Sequence, residues 1–261
     1  MNKKSTEPPR IALEDALTST TTDKRVEVLR AIDRLGSISE AARANGVSYK
    51  AAWQAIETLN NLAGAPLLEK SVGGSGGGGA RLTAAGQQLL RAADYLSQAR
   101  ARALAEIQNE ANDTNLPMAN ITGIGLRTSM RNQLPCVVCE IDQHHGAPRI
   151  WLELADGQQL SSRITRESLE LLDLKIGLPV LAMCKATAVT IAPTIVAVGE
   201  VNVVKGEIAK RLGTRQDGQL SLALGHGLQL SGFADPNTSL KLKQSAMAAI
   251  AQSAIVIGLA S

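Results

Sequence analysis

The chain is poor in aromatic residues, with one Phe, two Tyr and two Trp among 261 positions, so its 44% apolar content is almost wholly aliphatic. It lacks any run of about 18 uncharged apolar residues, which excludes a membrane-spanning helix. No apolar core follows Lys3 and Lys4, so the N-terminus does not read as a secretory signal and a cytoplasmic address is expected. Cysteines number three, an odd count in a chain without an export signal, which argues against a disulfide framework. Neither charge dominates: 27 Lys+Arg oppose 24 Asp+Glu, and a net +3 spread over a large surface does not by itself indicate nucleic acid. No Ser/His/Asp or Cys/His arrangement is discernible, and the chain is not expected to be an enzyme.

What is present divides into two grammars. The length and apolar content call for two or three packed units. From Lys24 to Gln108 the pattern has helical period and is rich in Ala, Leu, Arg and Glu. From Arg127 onward it alternates as strands do, in runs such as Ile150-Trp-Leu-Glu-Leu and Leu220-Ser-Leu-Ala-Leu. The change passes through the polar stretch 109–115 and the helix breaker Pro117. The expected organisation is a tail over 1–22, a helical domain over 23–111, a linker over 112–123 and two β modules over 124–194 and 195–261.

The second half repeats itself. Ile150 to Ser161 lies over Leu220 to Ser231 with Gly157 on Gly227, an offset of 70 residues. At the ends, Lys185 to Ala192 lies over Ser253 to Ala260. Each copy reads as a hairpin, a connecting segment and a closing strand, and repeats of about 65 residues gain stability by packing on each other or on a second chain. The expected fold class is therefore α+β multidomain, with tandem small β-barrels in the C-terminal half.

In the first half, Val28, Leu29, Ile32 and Leu35 give one face of a helix over Lys24 to Leu35 that ends at Gly36. Ser37-Ile-Ser39 offers a cap for a second helix, Gly46-Val47 is a turn, and Ser48 caps a third helix from Tyr49 to Leu62 whose buried stripe is Ala52, Ile56 and Leu59. Trp53, one turn into that helix, is expected in the core. This is the helix-turn-helix order, although any small three-helix bundle shares it. Pro66–Val72, the glycine run Gly73–Gly79 and Ala80–Leu82 then read as a winged hairpin, which favours the DNA-binding alternative. A nucleotide-binding loop is disfavoured because no Gly-Lys-Ser/Thr follows.

Between Lys24 and Arg81 stand eight basic and five acidic residues. The candidate DNA contacts are Ser37 and Ser39, then Ser48, Tyr49 and Lys50 at the start of the recognition helix, and Lys70, Ser75 and Arg81 in the wing, whose cations and backbone N–H groups suit phosphates. Thr83 caps a long helix to about Ile107, spanning roughly 36 Å. Its stripe, Leu89, Leu90, Ala93, Leu96, Ala103, Leu104 and Ile107, reads as a dimer seam, or else packs on the β half. A two-fold dimer would present two recognition helices to successive major grooves of double-stranded DNA carrying an inverted repeat.

Here the residues carry a resemblance. Ser37-Ile-Ser-Glu-Ala-Ala, Val47-Ser-Tyr-Lys-Ala-Ala-Trp53 and Leu82-Thr-Ala-Ala-Gly86 are similar to LysR-type winged helices. Combined with Gly76–Gly79 and a tandem of β modules, they make nearly the whole chain resemble the ModE family of molybdate-responsive transcription regulators. The resemblance implies a winged helix-turn-helix with a dimerisation helix, OB-like Mop (TOBE) modules, a cytoplasmic homodimer, and repression of molybdate-transport genes when molybdate is bound.

Comparing the repeats locates the chemistry. Ser129 lies over Gly199, Arg131 over Val201, Thr165 over Asp235, Ser168 over Thr238 and Lys185 over Ser253. The first copy thus keeps two cations where the second has none and gains a carboxylate. Charge-assisted donors supplemented by hydroxyls suit a tetrahedral dianion; the alternative is that Arg131 and Lys185 are ordinary surface cations. The resemblance implies a molybdate site of Ser129, Arg131, Asn132, Thr165, Ser168, Lys185 and Ala186, formed between chains, with tungstate as an alternative ligand. Cys136-Val-Val-Cys139 with His144-His145 suggests zinc, but residues three apart on a strand face opposite sides, so no metal site is expected and His144-His145-Gly146 reads as a turn. Cys184 reads as a small buried hydrophobe. Two other functions stay open: a molybdate or tungstate storage protein of the Mop class, and a winged-helix regulator with another effector.

Overall fold

The computed structural model describes residues 23–71, 79–111, 128–144, 146–211 and 218–259. They form two compact units, one built on 13–119 with 165–174 and the other on 120–164 with 175–260. Among the described residues no helix is long and apolar enough to cross a membrane.

The first unit is the helical one. Helix α1, Lys24–Leu35, starts where Asp23 Oδ1 accepts the Arg25 N–H at 3.0 Å and stops at Gly36, whose φ of 68° only glycine adopts freely. Helix α2, Ile38–Ala44, is capped by Ser37, and α3, Tyr49–Ala63, by Ser48, whose Oγ accepts from the Ala51 N–H at 3.1 Å. Strands β1, Leu68–Ser71, and β2, Gly79–Leu82, pair antiparallel, with Glu69 opposite Arg81 and Lys70 opposite Ala80. Helix α4, Ala84–Ala111, follows, and α5, Arg166–Leu171, completes the unit. Val28, Leu29, Ile32, Ile56, Leu59, Leu67, Leu82 and Leu90 form the core. Full burial of each large aliphatic is worth about 1.5–3 kcal/mol.

Trp53 departs from expectation. It is 41% exposed and sits edge-on to Tyr49 with ring centroids 6.3 Å apart. Ala52 and Ile56 take the buried stripe of α3, and the position after Ala52 is turned about 100° away from it.

In the second unit, β3 Asn132–Asp142, β4 Arg149–Leu154, β5 Gln159–Arg163 and β6 Pro179–Cys184 belong to the first repeat, with a closing strand β7, Val189–Ala192. The second repeat supplies β8 Val201–Arg211, β9 Gln219–Gly225, β10 Leu228–Ala234, β11 Ser245–Ala251 and β12 Val256–Gly258. The closing strands are exchanged: β7 completes a closed barrel in the order β10-β7-β11-β8-β9, and β12 joins the sheet β12-β6-β3-β4-β5. Gly232 makes room for the visiting strand, since a Cβ there would lie 2.6 Å from Val189 Cγ1. Each repeat therefore needs the other to finish its sheet.

The ladders also fix the internal alignment. Asn132 pairs with Cys184 and Asn202 with Ile250, so the equivalent of Lys185 is Ala251 and not Ser253. Three-residue turns at Ala186–Ala188 and Gln252–Ala254 follow in register. The absence of a cation in the second repeat holds under either alignment.

Candidate functional site

The winged unit presents the start of α3 outward. Ser48, Tyr49 and Lys50 are exposed, as are Ser39 and Arg81, while Ser37 is half-buried because its hydroxyl caps α2. Lys70 stands in β1 next to Ser71, and Ser75 at the tip of the wing lies outside the described residues. An exposed helix N-terminus with a cation and hydroxyls is equipped to hold phosphate oxygens while Tyr49 and Trp53 present flat edges alongside.

That start of α3 already carries acidic partners from α5. Lys50 Nζ lies 2.7 Å from Glu167 Oε1, and the Ser48 N–H donates to Glu170 Oε2 at 2.7 Å. Lys24 Nζ reaches Asp173 Oδ1 at 2.9 Å, and Leu171 packs on the helical core. The Lys50 ammonium holds the Glu167 carboxyl below the usual carboxylate range. Sequence reasoning missed both glutamates; their three-residue spacing on one helix face was visible, but nothing local names a partner more than a hundred residues away.

Two of the expected anion ligands cap this same short helix. Thr165 is the N-cap of α5: its Oγ1 accepts the Ser168 N–H at 3.1 Å and donates to the Ser168 hydroxyl at 3.0 Å. Thr165 is exposed and Ser168 half-buried.

The other expected ligands belong to the β unit. Asn132 and Cys184 are the terminal pair of the β3–β6 ladder, and Arg131 and Lys185 are the residues adjoining that pair in sequence, just beyond the two strands. Both are exposed, as is Ser129, and neither cation forms an ion pair among the described residues. Ala186 is buried at the start of the turn that the Ala188 N–H closes onto the Lys185 carbonyl at 3.0 Å. Asn132 plays a different part from a side-chain ligand. It is 2% exposed, and its carboxamide bonds to the Ser231 backbone and to Cys184 Sγ, leaving no N–H for an anion. The pair of unpartnered cations and the nearby Ser129 hydroxyl are suited to a small dianion with several acceptor oxygens.

The cysteines are placed as the strand period requires. Cys136 is buried and Cys139 half-exposed, and β3 bulges between Val138 and Glu140. Burial pushes the Cys136 thiol up to about 12, and burial raises Cys184 as well. His144 and Gly146 lie between β3 and β4; His145 lies outside the described residues.

Comparison with known proteins agrees with this division. Residues 24–87 match the family model of the bacterial regulatory helix-turn-helix proteins of the lysR family, and residues 128–191 match the TOBE domain. The chain is 34% identical over 224 residues to the DNA-binding transcriptional dual regulator ModE of Escherichia coli (strain K12), covering 85% of this chain and 86% of that one. It is 36% identical over 208 residues to the molybdenum-pterin-binding protein MopB of Rhodobacter capsulatus, covering 78% and 76%. A solved structure of the cytoplasmic molybdate-binding protein ModG is similar at 23% identity and a TM-score of 0.46, over 51% of this chain and 99% of that one. With a lysR-type winged helix before a TOBE module and that extent of identity, the chain belongs to the ModE family of transcriptional regulators.

Proposed function

We propose that this protein is a molybdate-responsive DNA-binding regulator that represses molybdate-transport genes when the anion is bound. The observation that carries the reading is the pair Arg131 and Lys185 at the end of the β3–β6 ladder, two exposed cations without acidic partners among the described residues, which the second repeat replaces with Val201 and Ala251. Ser129, Thr165, Ser168 and the backbone at Asn132 and Ala186 complete the ligand set. Regulators named ModE and a protein named for molybdenum binding among the relatives support the choice of anion. Tungstate, close in size and charge, fills the same place, and sulfate is too small to reach all donors.

The acting species is a cytoplasmic homodimer on double-stranded DNA with an inverted-repeat operator. Exposed Tyr95 and Leu96 on α4 support a helix seam between chains, and the anion pockets form where two chains meet, two per dimer. Ser48, Tyr49 and Lys50 meet DNA, with the wing of Lys70, Ser75 and Arg81 beside them. A storage protein of the Mop class would account for the β unit alone and would give the capped, outward-facing start of α3 no task.

Titration calorimetry tests the reading. Molybdate is expected to bind near one per chain and sulfate far more weakly, and DNA affinity is expected to rise on loading. Equal DNA affinity with and without molybdate would sink it, because a ligand shifts only an equilibrium whose states it binds unequally.

A further inference from the structure

The N-terminus of α3 is where a helix-turn-helix protein enters the major groove and brings its first residues to the DNA. In this structure that position is filled from within the chain. Glu170 accepts the Ser48 N–H at 2.7 Å, and Glu167 pairs with the Lys50 ammonium at 2.7 Å, two donors that acceptors on DNA would otherwise be free to engage. The contact is not incidental packing of one side chain. Lys24–Asp173 at 2.9 Å and the apolar Leu171 fasten the same segment at two further points, and Glu167 retains only 13% of its side-chain exposure.

We propose that α5 is an internal DNA mimic, which covers the DNA-facing start of the recognition helix and leaves it when an oxyanion engages Thr165 and Ser168. The second clause rests on the function proposed above; the first does not. The coupling is built into α5. Its N-cap bonds join Thr165 to Ser168, and Glu167 stands between them in sequence with Glu170 two positions on. An oxyanion accepts the hydroxyl protons, so it displaces the Thr165-to-Ser168 O–H bond, leaves the Ser168 N–H cap in place and re-aims the helix as the two hydroxyls turn to it. Rotation of the helix moves both carboxylates together. The anion thereby binds the uncovered state better than the covered one, which is the condition for shifting the population. In the second repeat the same segment has no helix, and Asp235 and Thr238 stand in a turn, so the device belongs to one repeat alone.

The experiment uses the full chain with E167Q and E170Q combined, and a labelled duplex selected from a random pool by the molybdate-loaded wild type. Fluorescence anisotropy gives DNA affinity with and without molybdate for both proteins. The expected result is that the variant without molybdate binds roughly tenfold more tightly than wild type without molybdate, while the loaded proteins differ little. The molybdate enhancement therefore shrinks. An equal gain in both states would mean that only surface charge was altered and would overturn the proposal, as would unchanged affinity in both. Molybdate calorimetry on the variant confirms that its β unit is folded. Failure of the wild type itself to respond to molybdate would instead reject the function proposed above, and the variant's anion-free gain would still decide whether α5 masks the helix.

Discussion

The carboxamide of Asn132 accepts the N–H of Ser231 at 2.7 Å and donates to its carbonyl at 2.8 Å; Asn202 makes the same pair of bonds to Ser161, at 2.7 and 2.8 Å. Each asparagine stands at the start of a long strand of one repeat, first in β3 and second in β8, and mimics a β-ladder partner for the hairpin of the other. Together with the exchanged strands β7 and β12, they tie two marginal modules into one body.

Asn132→Ala is accordingly expected to lower stability by about 1–3 kcal/mol, since it strips the partners from a backbone N–H and C=O that water reaches poorly. Asn202→Ala should cost more, because its network is wholly buried and includes the Ser161 hydroxyl. Urea unfolding of both variants checks this; equal, negligible losses would assign the pairs no structural weight.

The start of α4 gives a second test. Thr83 donates to the Pro66 carbonyl at 2.8 Å and accepts the Gly86 N–H at 3.1 Å, which draws Gly86 onto the residue before β1, where a Cβ would stand 2.4 Å from the Leu67 carbonyl. Alanine is the better helix former by about 1 kcal/mol. The clash is expected to win, with Gly86→Ala losing about 1–3 kcal/mol net. A raised melting temperature would show that the backbone yields there.

How much of this could be read from the chain alone depends on how local the physics is. The bounds of α1 and the caps at Ser37, Ser48 and Thr83 were legible because capping is decided within four residues. The strand exchange was not, since it depends on pairing between Val189–Ala192 and strands some forty to sixty residues later. The alanine-rich ends also admit more than one alignment, which is why Lys185 fell on Ser253 until the Asn202–Ile250 pair fixed Ala251. The Asn132–Asn202 and Ser161–Ser231 pairs, by contrast, lie at the same offset of 70 and are legible as polar equivalents, of which all but Ser231 are buried.

Cysteine reactivity follows from burial. Cys139 should be alkylated first in the native protein, and Cys136 and Cys184 only on unfolding. Because folding keeps Cys136 protonated to about 12 against an ordinary 9.0, the unfolded chain loses that proton first as pH rises. Its contribution to stability is intact below pH 9 and is lost as pH climbs toward 12. Cys136→Ser, which removes the ionisable thiol, should flatten that alkaline decline; mass spectrometry after timed labelling reads the order of reaction.

Assembly is testable on α4. Its 28 residues extend over roughly 42 Å, and Tyr95 and Leu96 are each 72% exposed. Leu96→Asp is expected to convert the proposed dimer to monomer in sedimentation while leaving the helical core of the winged unit folded. A variant that stays dimeric would move the seam elsewhere.

The anion site offers the sharpest separation of roles. Arg131→Ala and Lys185→Ala each remove one charged donor from the pair and should weaken molybdate binding by roughly ten- to a hundredfold, the worth of a charge-assisted hydrogen bond, with little change in stability because both side chains are exposed. Asn132→Ala should show the reverse balance, a stability loss with a smaller effect on the anion, since its amide is committed to Ser231. The two cations adjoin the same terminal ladder pair, so their effects should not add: the double variant is expected to lose less than the product of the single losses, because one charge alone no longer orients the anion. Unchanged molybdate affinity in both single variants would remove this end of the β3–β6 ladder from the binding site.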